Sequence, residues 1–295
     1  MYVELAGYFL VFVAGALIGS FLNVLADRLS VGESPVKGRS KCDHCGSELA
    51  PRDLIPLLSY ILLRGKCRRC GSKLSLYYPI SELLTGLAFL GLTYYLDVFS
   101  IPNYLIWVTF GYLAVIVSSY IAILLADVKY TLIPDKIIKP TIWFVLTMMF
   151  GSFALIAVSS YRQMAADPFG QYLLQVGYWQ QQMFAMAQGI GMTLLVALGV
   201  ALFFRLLIWI TRGKGMGGGD VKLAFLVGLV NGFPMNIVAI ILAFVGGALF
   251  SVVLMVMRRK GMKDAIPFGP FLILGSVAAF IFGQQIFNWY VTLLG

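Results

Sequence analysis

The chain has 295 residues, of which 60% are hydrophobic and only 12% are charged. Because a soluble domain carries roughly 25% charged residues, this composition excludes a water-soluble globular protein. It predicts an all-α polytopic membrane protein. The net charge of +9 is compatible with nucleic-acid binding, but basic loops in a membrane protein more often set its orientation. We therefore expect no nucleic-acid partner.

Apolar runs between charged breaks predict the membrane-spanning helices, each of which needs about 20 mostly apolar residues. The first run lacks the charged start and the cleavage site of a signal peptide, so we expect it to be retained. The sixth run is short and follows a glycine-rich stretch, which is typical of a span that lines a cavity. The eight predicted spans are 4–26, 79–97, 103–126, 138–159, 182–210, 221–233, 235–257 and 267–291.

Basic residues are concentrated in alternate loops between these spans. With the N-terminus outside, the cytoplasmic segments are 27–78, 127–139, 205–222 and 258–266, and they hold 21 of the 22 Lys and Arg residues. This bias predicts a multi-pass protein with both termini extracytoplasmic. The external segment 160–181 is polar and aromatic, and we expect it to form a loop or a short amphipathic helix at the outer interface.

The first cytoplasmic segment contains the only four cysteines, in two Cys-x-x-Cys knuckles that are each followed by Gly-Ser and have 21 residues between them. Each such knuckle directs two thiolates at one ion, and two knuckles complete a tetrahedral site. A disulfide is disfavoured because the segment is predicted to lie in the reducing cytoplasm. His44, inside the first knuckle, is expected to be a surface residue. We predict a structural zinc site with the ligands Cys42, Cys45, Cys67 and Cys70.

Three acidic residues fall at the depth or the edge of the predicted membrane, namely Glu82, Asp127 and Asp220. Ionisable groups there are costly and are candidates for function. Asp127 ends the third span and Asp220 begins the sixth, so the topology places both at the cytoplasmic edge. Two carboxylates that meet there would share one proton and hold a water molecule between them, as in an aspartic protease.

Each of these two acids also has a simpler explanation. Asp220 follows a run of glycines and could be only a helix cap. Asp127 could form an interfacial ion pair with Lys129. These alternatives remain open from the residues alone.

The neighbours of the two acids are lower-ranked candidates for the site. Gly217 and Gly219 would let a substrate backbone approach Asp220 closely. Lys129 and Lys222 each follow an aspartate by two residues. They either anchor a helix at the inner face or tune the site by favouring an ionised acid or binding a substrate carboxylate.

Besides the cysteine motifs, five further stretches form a pattern: "GSFLNVLADRL" (19–29), "YYPISELLTG" (77–86), "DVKYTLIPD" (127–135), "GMGGGDVKL" (215–223) and "IPFGPFLILG" (266–275). In this order, these stretches resemble the bacterial prepilin peptidases, a family of bifunctional leader peptidases and N-methyltransferases. The Gly-x-Gly-Asp pattern is also similar to that of presenilin-type intramembrane proteases.

The resemblance implies a reaction and a location. Such enzymes lie in the bacterial inner membrane and remove the basic leader from type IV prepilins or type II secretion pseudopilins at the cytoplasmic face. They then methylate the new N-terminal residue with S-adenosylmethionine. Asp127 and Asp220 would be catalytic, the cysteines would bind the metal, and Gly65 and Glu82 are candidates for the methyltransferase. Glu82 could instead be a buried acid that bonds a neighbouring helix.

We therefore predict about eight transmembrane helices and a small cytoplasmic zinc-binding loop domain. The predicted parts are a first transmembrane helix (1–26), the zinc-binding loop domain linked to methyl transfer (27–78) and a transmembrane aspartyl peptidase domain (79–295). The main alternative is an ion- or proton-coupled transporter, which intramembrane acids and a broken helix also suit. That alternative does not explain the four cysteines.

Overall fold

The computed structural model describes residues 2–100, 103–213, 216–257 and 267–294, and these residues are mainly helical. A 3-10 turn at Pro51–Leu54 precedes α2, and the extended pairing in the described ranges is limited to two isolated bridges in the cysteine loop. The helices are α1 Tyr2–Ser30, α2 Leu58–Leu62, α3 Tyr77–Tyr95, α4 Tyr104–Tyr130, α5 Asp135–Ala165, α6 Pro168–Gln175, α7 Tyr178–Ile210, α8 Gly218–Asn231, α9 Met235–Val256 and α10 Gly269–Leu294.

Each of the eight predicted spans corresponds to one of these helices, which confirms the all-α polytopic fold. Six helices in the described ranges, all except α2, α3, α6 and α8, are long and apolar enough to cross a membrane. The count of eight spans is not confirmed. With 14 residues, α8 extends about 21 Å, less than the roughly 30 Å of a bilayer core. The basic segment 258–266 and residues 214 and 215 lie outside the described residues.

The chain forms two compact units, Met1–Ile137 and Ile138–Gly295. In the first unit, α1 packs against α3 and α4. Small residues allow a close approach, since a Cβ atom on Gly15 would lie 3.0 Å from the Gly86 Cα, and one on Gly19 would lie 2.8 Å from Thr85 Oγ1. Gly15 and Gly19 form a Gly-x-x-x-Gly pair, a common contact surface between membrane helices.

In the second unit, α8 packs against α7, α9 and α10, while α9 and α10 pair along their length. A Cβ atom on Gly228 of α8 would lie 2.8 Å from the Cα of Ala197 on α7, so this contact also depends on a small residue. Segment 160–181, for which the sequence predicts an external location, contains the end of α5, the short helix α6 and the start of α7. The helical alternative for that segment is therefore the one observed.

Candidate metal centre, cavity and catalytic acids

The four cysteines converge on one point in the loop between α1 and α3. Their Sγ atoms all lie within 4.8 Å of one another, and Cys42 Sγ is 4.0 Å from Cys70 Sγ. All four are free thiols rather than disulfides. Thiolates bound at about 2.3 Å to a tetrahedral ion would lie about 3.8 Å apart, so the cluster has the donor set and the spacing for one metal ion.

Both knuckles have the same local structure, which their shared sequence explains. In the first, the Cys42 N–H donates to the Ser47 carbonyl and the Gly46 N–H donates to the Cys42 carbonyl, both at 2.9 Å. The equivalent bonds in the second knuckle measure 2.8 and 2.9 Å. Gly46 has φ +67° and its counterpart has φ +70°, a left-handed conformation that favours glycine at this position of each motif.

Polar groups around the sulfur atoms lower the pKa of Cys42 and Cys70, whereas burial and the neighbouring Cys42 thiol raise the pKa of Cys67. The backbone N–H groups of Cys45 and His44 lower the pKa of Cys42 to about 6, and a deprotonated thiol is the form that binds metal. Ser47 Oγ lies 3.0 Å from Cys45 Sγ, and the second knuckle repeats this contact. The His44 side chain is exposed and lies outside the cysteine cluster.

Hydrogen bonds attach the cysteine loop to α3. The hydroxyl of Tyr78, in the first turn of α3, donates to Asp43 Oδ2 of the first knuckle at 2.8 Å. The backbone N–H of Leu57 donates to Glu82 Oε2, also at 2.8 Å. Both the first knuckle and the segment between the knuckles are therefore fixed to the same helix, α3.

A cavity of about 630 Å³ lies between α1, the cysteine loop and α3. Pockets that bind small molecules measure roughly 300–1,000 Å³, so the space is adequate for such a ligand. Polar and aromatic side chains from all three elements contribute to its lining, including Asn23, Asp27, Tyr60, Tyr78 and Glu82.

Gly65 supports the wall of this cavity through its contact with Tyr60. It has φ +67°, and a Cβ atom there would lie 2.8 Å from the Tyr60 hydroxyl oxygen. That hydroxyl donates to the Leu74 carbonyl at 3.3 Å, and the Tyr60 side chain lines the cavity. Any side chain at residue 65 would therefore displace a lining residue. Glu82, the other candidate for methyl transfer, lines the cavity directly.

Glu82, Asp127 and Asp220 are the only buried carboxylates among the residues whose burial the structure describes, with 8%, 5% and 9% of their surface exposed. They are the same three acids that the sequence places at the depth or edge of the membrane. Glu82 and Asp127 belong to the first unit and Asp220 to the second. The pairing of Asp127 with Asp220 stays a prediction.

Asp127 lies in the last turn of α4, which ends at Tyr130. Lys129 is two residues further on and therefore points about 200° away around the helix. Its ammonium group pairs with Asp27 Oδ1 of α1 at 2.8 Å. The structure thus pairs Lys129 with Asp27, whereas the simpler explanation of Asp127 was an ion pair between Asp127 and Lys129.

Asp220 is the third residue of α8, and Gly217 is the N-cap. Asp220 Oδ2 accepts a hydrogen bond from the Gly217 N–H at 3.0 Å, as an acid at this position of a capping box does. The side chain therefore caps its helix through one of its two oxygen atoms. Gly219 is the second helical residue, and Lys222 is half-buried on the same helix.

The sequence did not single out the tyrosines or the asparagine of the first unit as site residues. A signal existed for some of them, because Asn23 lies in "GSFLNVLADRL", and Tyr77 and Tyr78 lie in "YYPISELLTG". Tyr60 had no such signal, since it stands in an apolar stretch whose folding against Gly65 is visible only in three dimensions.

The fold and these sites define a polytopic helical membrane protein with a four-cysteine loop and buried acids near helix ends. The family described as Bacterial Peptidase A24 N-terminal domain matches residues 13–96, and the Type IV leader peptidase family matches residues 114–252. The chain belongs to the type IV leader peptidase family, which confirms the resemblance inferred from its motifs.

Curated relatives align with this chain over almost the whole length of both proteins. A prepilin leader peptidase/N-methyltransferase of Bacillus subtilis is 27% identical, with 96% of this chain and 98% of that protein covered. Proteins of the same name from Aeromonas hydrophila and Pseudomonas aeruginosa are 29% and 28% identical, with 96% and 95% of this chain and 93% and 92% of those proteins covered. No solved structure matches the chain.

Proposed function

We propose that the protein is a bifunctional membrane enzyme that removes the basic leader from type IV prepilins or type II secretion pseudopilins and methylates the new N-terminal residue. Family membership and the shared name of the relatives support both activities. They give no support to the transporter alternative. The observation that carries the peptidase assignment is the burial of Asp127 and Asp220 in terminal turns of helices, both inside the region that matches the peptidase family.

In the proposed cleavage, Asp127 and Asp220 share one proton and hold a water molecule. The ionised carboxylate takes a proton from that water, whose oxygen bonds to the scissile carbonyl carbon while the protonated carboxyl donates its proton to the carbonyl oxygen. The tetrahedral intermediate then collapses and the C–N bond breaks. One hydroxyl of the diol returns its proton to the ionised acid while the leaving nitrogen takes up the proton of the other acid, so the dyad again holds one proton. Lys222, Gly217 and Gly219 would border the bound substrate, whereas Lys129 acts from the other side of its helix.

The basic loops support the location of this reaction at the cytoplasmic face of the inner membrane, with both termini outside. A substrate with a positive leader followed by a hydrophobic helix adopts the same orientation, so its cleavage site lies at that face. Membrane lipid is a further proposed partner, because the segment between the knuckles exposes apolar side chains next to the helix ends. These side chains are Leu54, Ile55, Leu58, Ile61 and Leu62.

We place the methyl donor, S-adenosylmethionine, in the cavity between α1, the cysteine loop and α3. The two candidates from the sequence support this site independently, since Glu82 lines it and Gly65 positions Tyr60 in its wall. When bound, the donor supplies an electrophilic methyl group on a sulfonium. The protein's task is to hold the new N-terminal amine beside that group and to exclude competing water.

We assign a structural zinc ion to Cys42, Cys45, Cys67 and Cys70. Four thiolates with no open position are typical of a structural site rather than a catalytic one. By joining two knuckles, the ion would hold the cysteine loop in the conformation that closes the cavity.

One experiment tests both activities together. The purified protein in detergent is incubated with a full-length prepilin and isotopically labelled S-adenosylmethionine, and the products are measured by mass spectrometry. We expect release of the intact leader and a mature pilin that carries one labelled methyl group on its N-terminal nitrogen. An intact prepilin after prolonged incubation would contradict the peptidase, and an unlabelled mature pilin would contradict the methyltransferase.

A further inference from the structure

The last turn of α4 is attached to α1 through a single carboxylate. Lys129 Nζ lies 2.8 Å from Asp27 Oδ1, and the hydroxyl of the next residue, Tyr130, donates to the same oxygen at 3.1 Å. Lys129 and Asp27 are both only partly exposed, with 36% and 23% of their side-chain surfaces accessible to solvent. The pair is therefore more sheltered than a typical surface ion pair.

Three aromatic rings surround the ammonium group. Lys129 Nζ lies 5.1, 5.8 and 5.3 Å from the ring centres of Tyr77, Tyr78 and Tyr130. These distances are within the roughly 6 Å over which a cation is attracted to an aromatic face. We call Asp27, Tyr77, Tyr78, Lys129 and Tyr130 the tyrosine clamp.

The tyrosine clamp contacts α4 on both sides of Asp127 in the sequence. The Tyr77 hydroxyl donates to the Leu125 carbonyl at 3.3 Å, two residues before Asp127, and Lys129 is held two residues after it. The helix ends immediately afterwards, at Thr131 with φ +50°. Helix ends fray readily, so an acid in a terminal turn needs such contacts if its carboxylate is to keep a fixed position.

We propose that Asp27 and Lys129 are positioning residues for the peptidase reaction, which fix the last turn of α4 and hence the carboxylate of Asp127. This inference rests on the proposed catalytic role of Asp127. It assigns Lys129 to the support of the helix rather than to contact with the substrate. Asp27 is then the ion-pair partner of Lys129 rather than a binding group for the basic leader of the substrate, because the ammonium group of Lys129 already balances its negative charge.

The test compares Lys129→Met, Lys129→Arg, Asp27→Asn and the double variant Asp27→Asn/Lys129→Met in prepilin cleavage. We expect kcat to fall roughly 10- to 100-fold in Lys129→Met and Asp27→Asn, because small displacements of a reacting group have effects of this size, while KM stays unchanged. Lys129→Arg should recover most of the activity. The double variant should be no slower than the slower single variant, since both changes break the same contact.

Two controls separate positioning from loss of folding. Asp97→Asn makes the same chemical change at an exposed acid after α3 and should leave kcat unchanged. Lys129→Met should also retain methyl transfer to a pilin that has already been cleaved, because Lys129 does not line the cavity.

Three results would overturn the inference. An increase in KM at constant kcat would show that Asp27 or Lys129 contacts the substrate directly. A parallel loss of cleavage and methyl transfer in Lys129→Met, whose side chain does not line the cavity, would show a general effect on the fold. Unchanged cleavage in Lys129→Met and Asp27→Asn would show that the tyrosine clamp is irrelevant to the reaction. Asp127→Asn, measured beside them, tests the proposed function itself. If that variant still cleaves, the catalytic assignment fails whatever the clamp variants do.

Discussion

The Glu82 carboxylate on α3 accepts a hydrogen bond from the backbone N–H of Leu57 at 2.8 Å. Leu57 has φ +60°, a value that few residues other than glycine adopt. The bond therefore holds an unfavourable turn of the cysteine loop against α3, beside the cavity that Glu82 also lines. This links the acid to the shape of the proposed methyl-donor site.

Replacing Glu82 tests that link. Glu82→Ala leaves the part-buried Leu57 N–H without its acceptor, which costs roughly 0.5–1.5 kcal/mol. We expect a lower melting temperature and a larger loss of methyl transfer than of cleavage. Glu82→Gln keeps an amide oxygen for the bond and should restore the melting temperature. The measurement is methylation of a pre-cleaved pilin beside cleavage of an intact prepilin. Equal losses of the two activities in Glu82→Ala would argue against a specific role in the cavity.

Gly65→Ala should impair methyl transfer while sparing cleavage. The new methyl group would lie 2.8 Å from the Tyr60 hydroxyl oxygen and displace the Tyr60 side chain from its position in the cavity wall. We expect methylation to fall roughly 10-fold or more, with kcat for cleavage within a factor of about 2. The matched control is Gly32→Ala, which also has a positive φ (+81°) but has no described atom within 4 Å of the added Cβ. If both variants lose methylation equally, backbone strain rather than Tyr60 is the cause.

The sequence predicted the helices and the buried acids because both depend on local composition. Long apolar runs must form helices in lipid, and a carboxylate in or beside such a run is buried by its neighbours. Glu82, Asp127 and Asp220 could therefore be selected without coordinates. The cysteine cluster was predictable for a similar reason, since each knuckle carries its own turn.

Contacts between distant segments could not be predicted in this way. The pairing of Lys129 with Asp27 depends on how α4 lies against α1, and the sequence offered Asp127 as a nearer partner. The dependence of Gly65 on Tyr60 likewise needs the folded loop. Asp220 caps α8 from its third position, a detail that the preceding glycines left open.

Replacing the two buried cysteines, Cys42 and Cys67, by serine should release the metal ion. Serine oxygen is a poor substitute for a thiolate, and each change removes one of four ligands. We expect elemental analysis to find about one zinc per wild-type chain and far less in the variant. Methyl transfer should fall as the loop loosens, whereas the acids on α4 and α8 stay in place and cleavage should persist. Wild-type protein without zinc would contradict the assignment of the metal.

Gly218→Ala tests whether a substrate backbone passes close to α8. An added Cβ at residue 218 would meet no described atom within 4 Å, and alanine favours a helix over glycine, so the melting temperature should be unchanged or slightly higher. If the substrate lies against this glycine run, KM for prepilin should rise several-fold. Gly91→Ala on α3, where the added Cβ also meets nothing within 4 Å, should leave KM alone. Unchanged KM in both variants would show that the substrate backbone does not pass close to α8 at Gly218.

Asp127→Asn and Asp220→Asn should each abolish cleavage while leaving the protein folded. Asparagine has nearly the same shape, and at residue 220 its amide oxygen can still accept the Gly217 N–H that caps α8. It cannot take a proton from water or share one with a second acid, so we expect kcat to fall by roughly 10³-fold or more. Methyl transfer to a pre-cleaved pilin should continue and serves as the control for folding. Substantial cleavage by either variant in detergent would show that the two aspartates are not the catalytic pair.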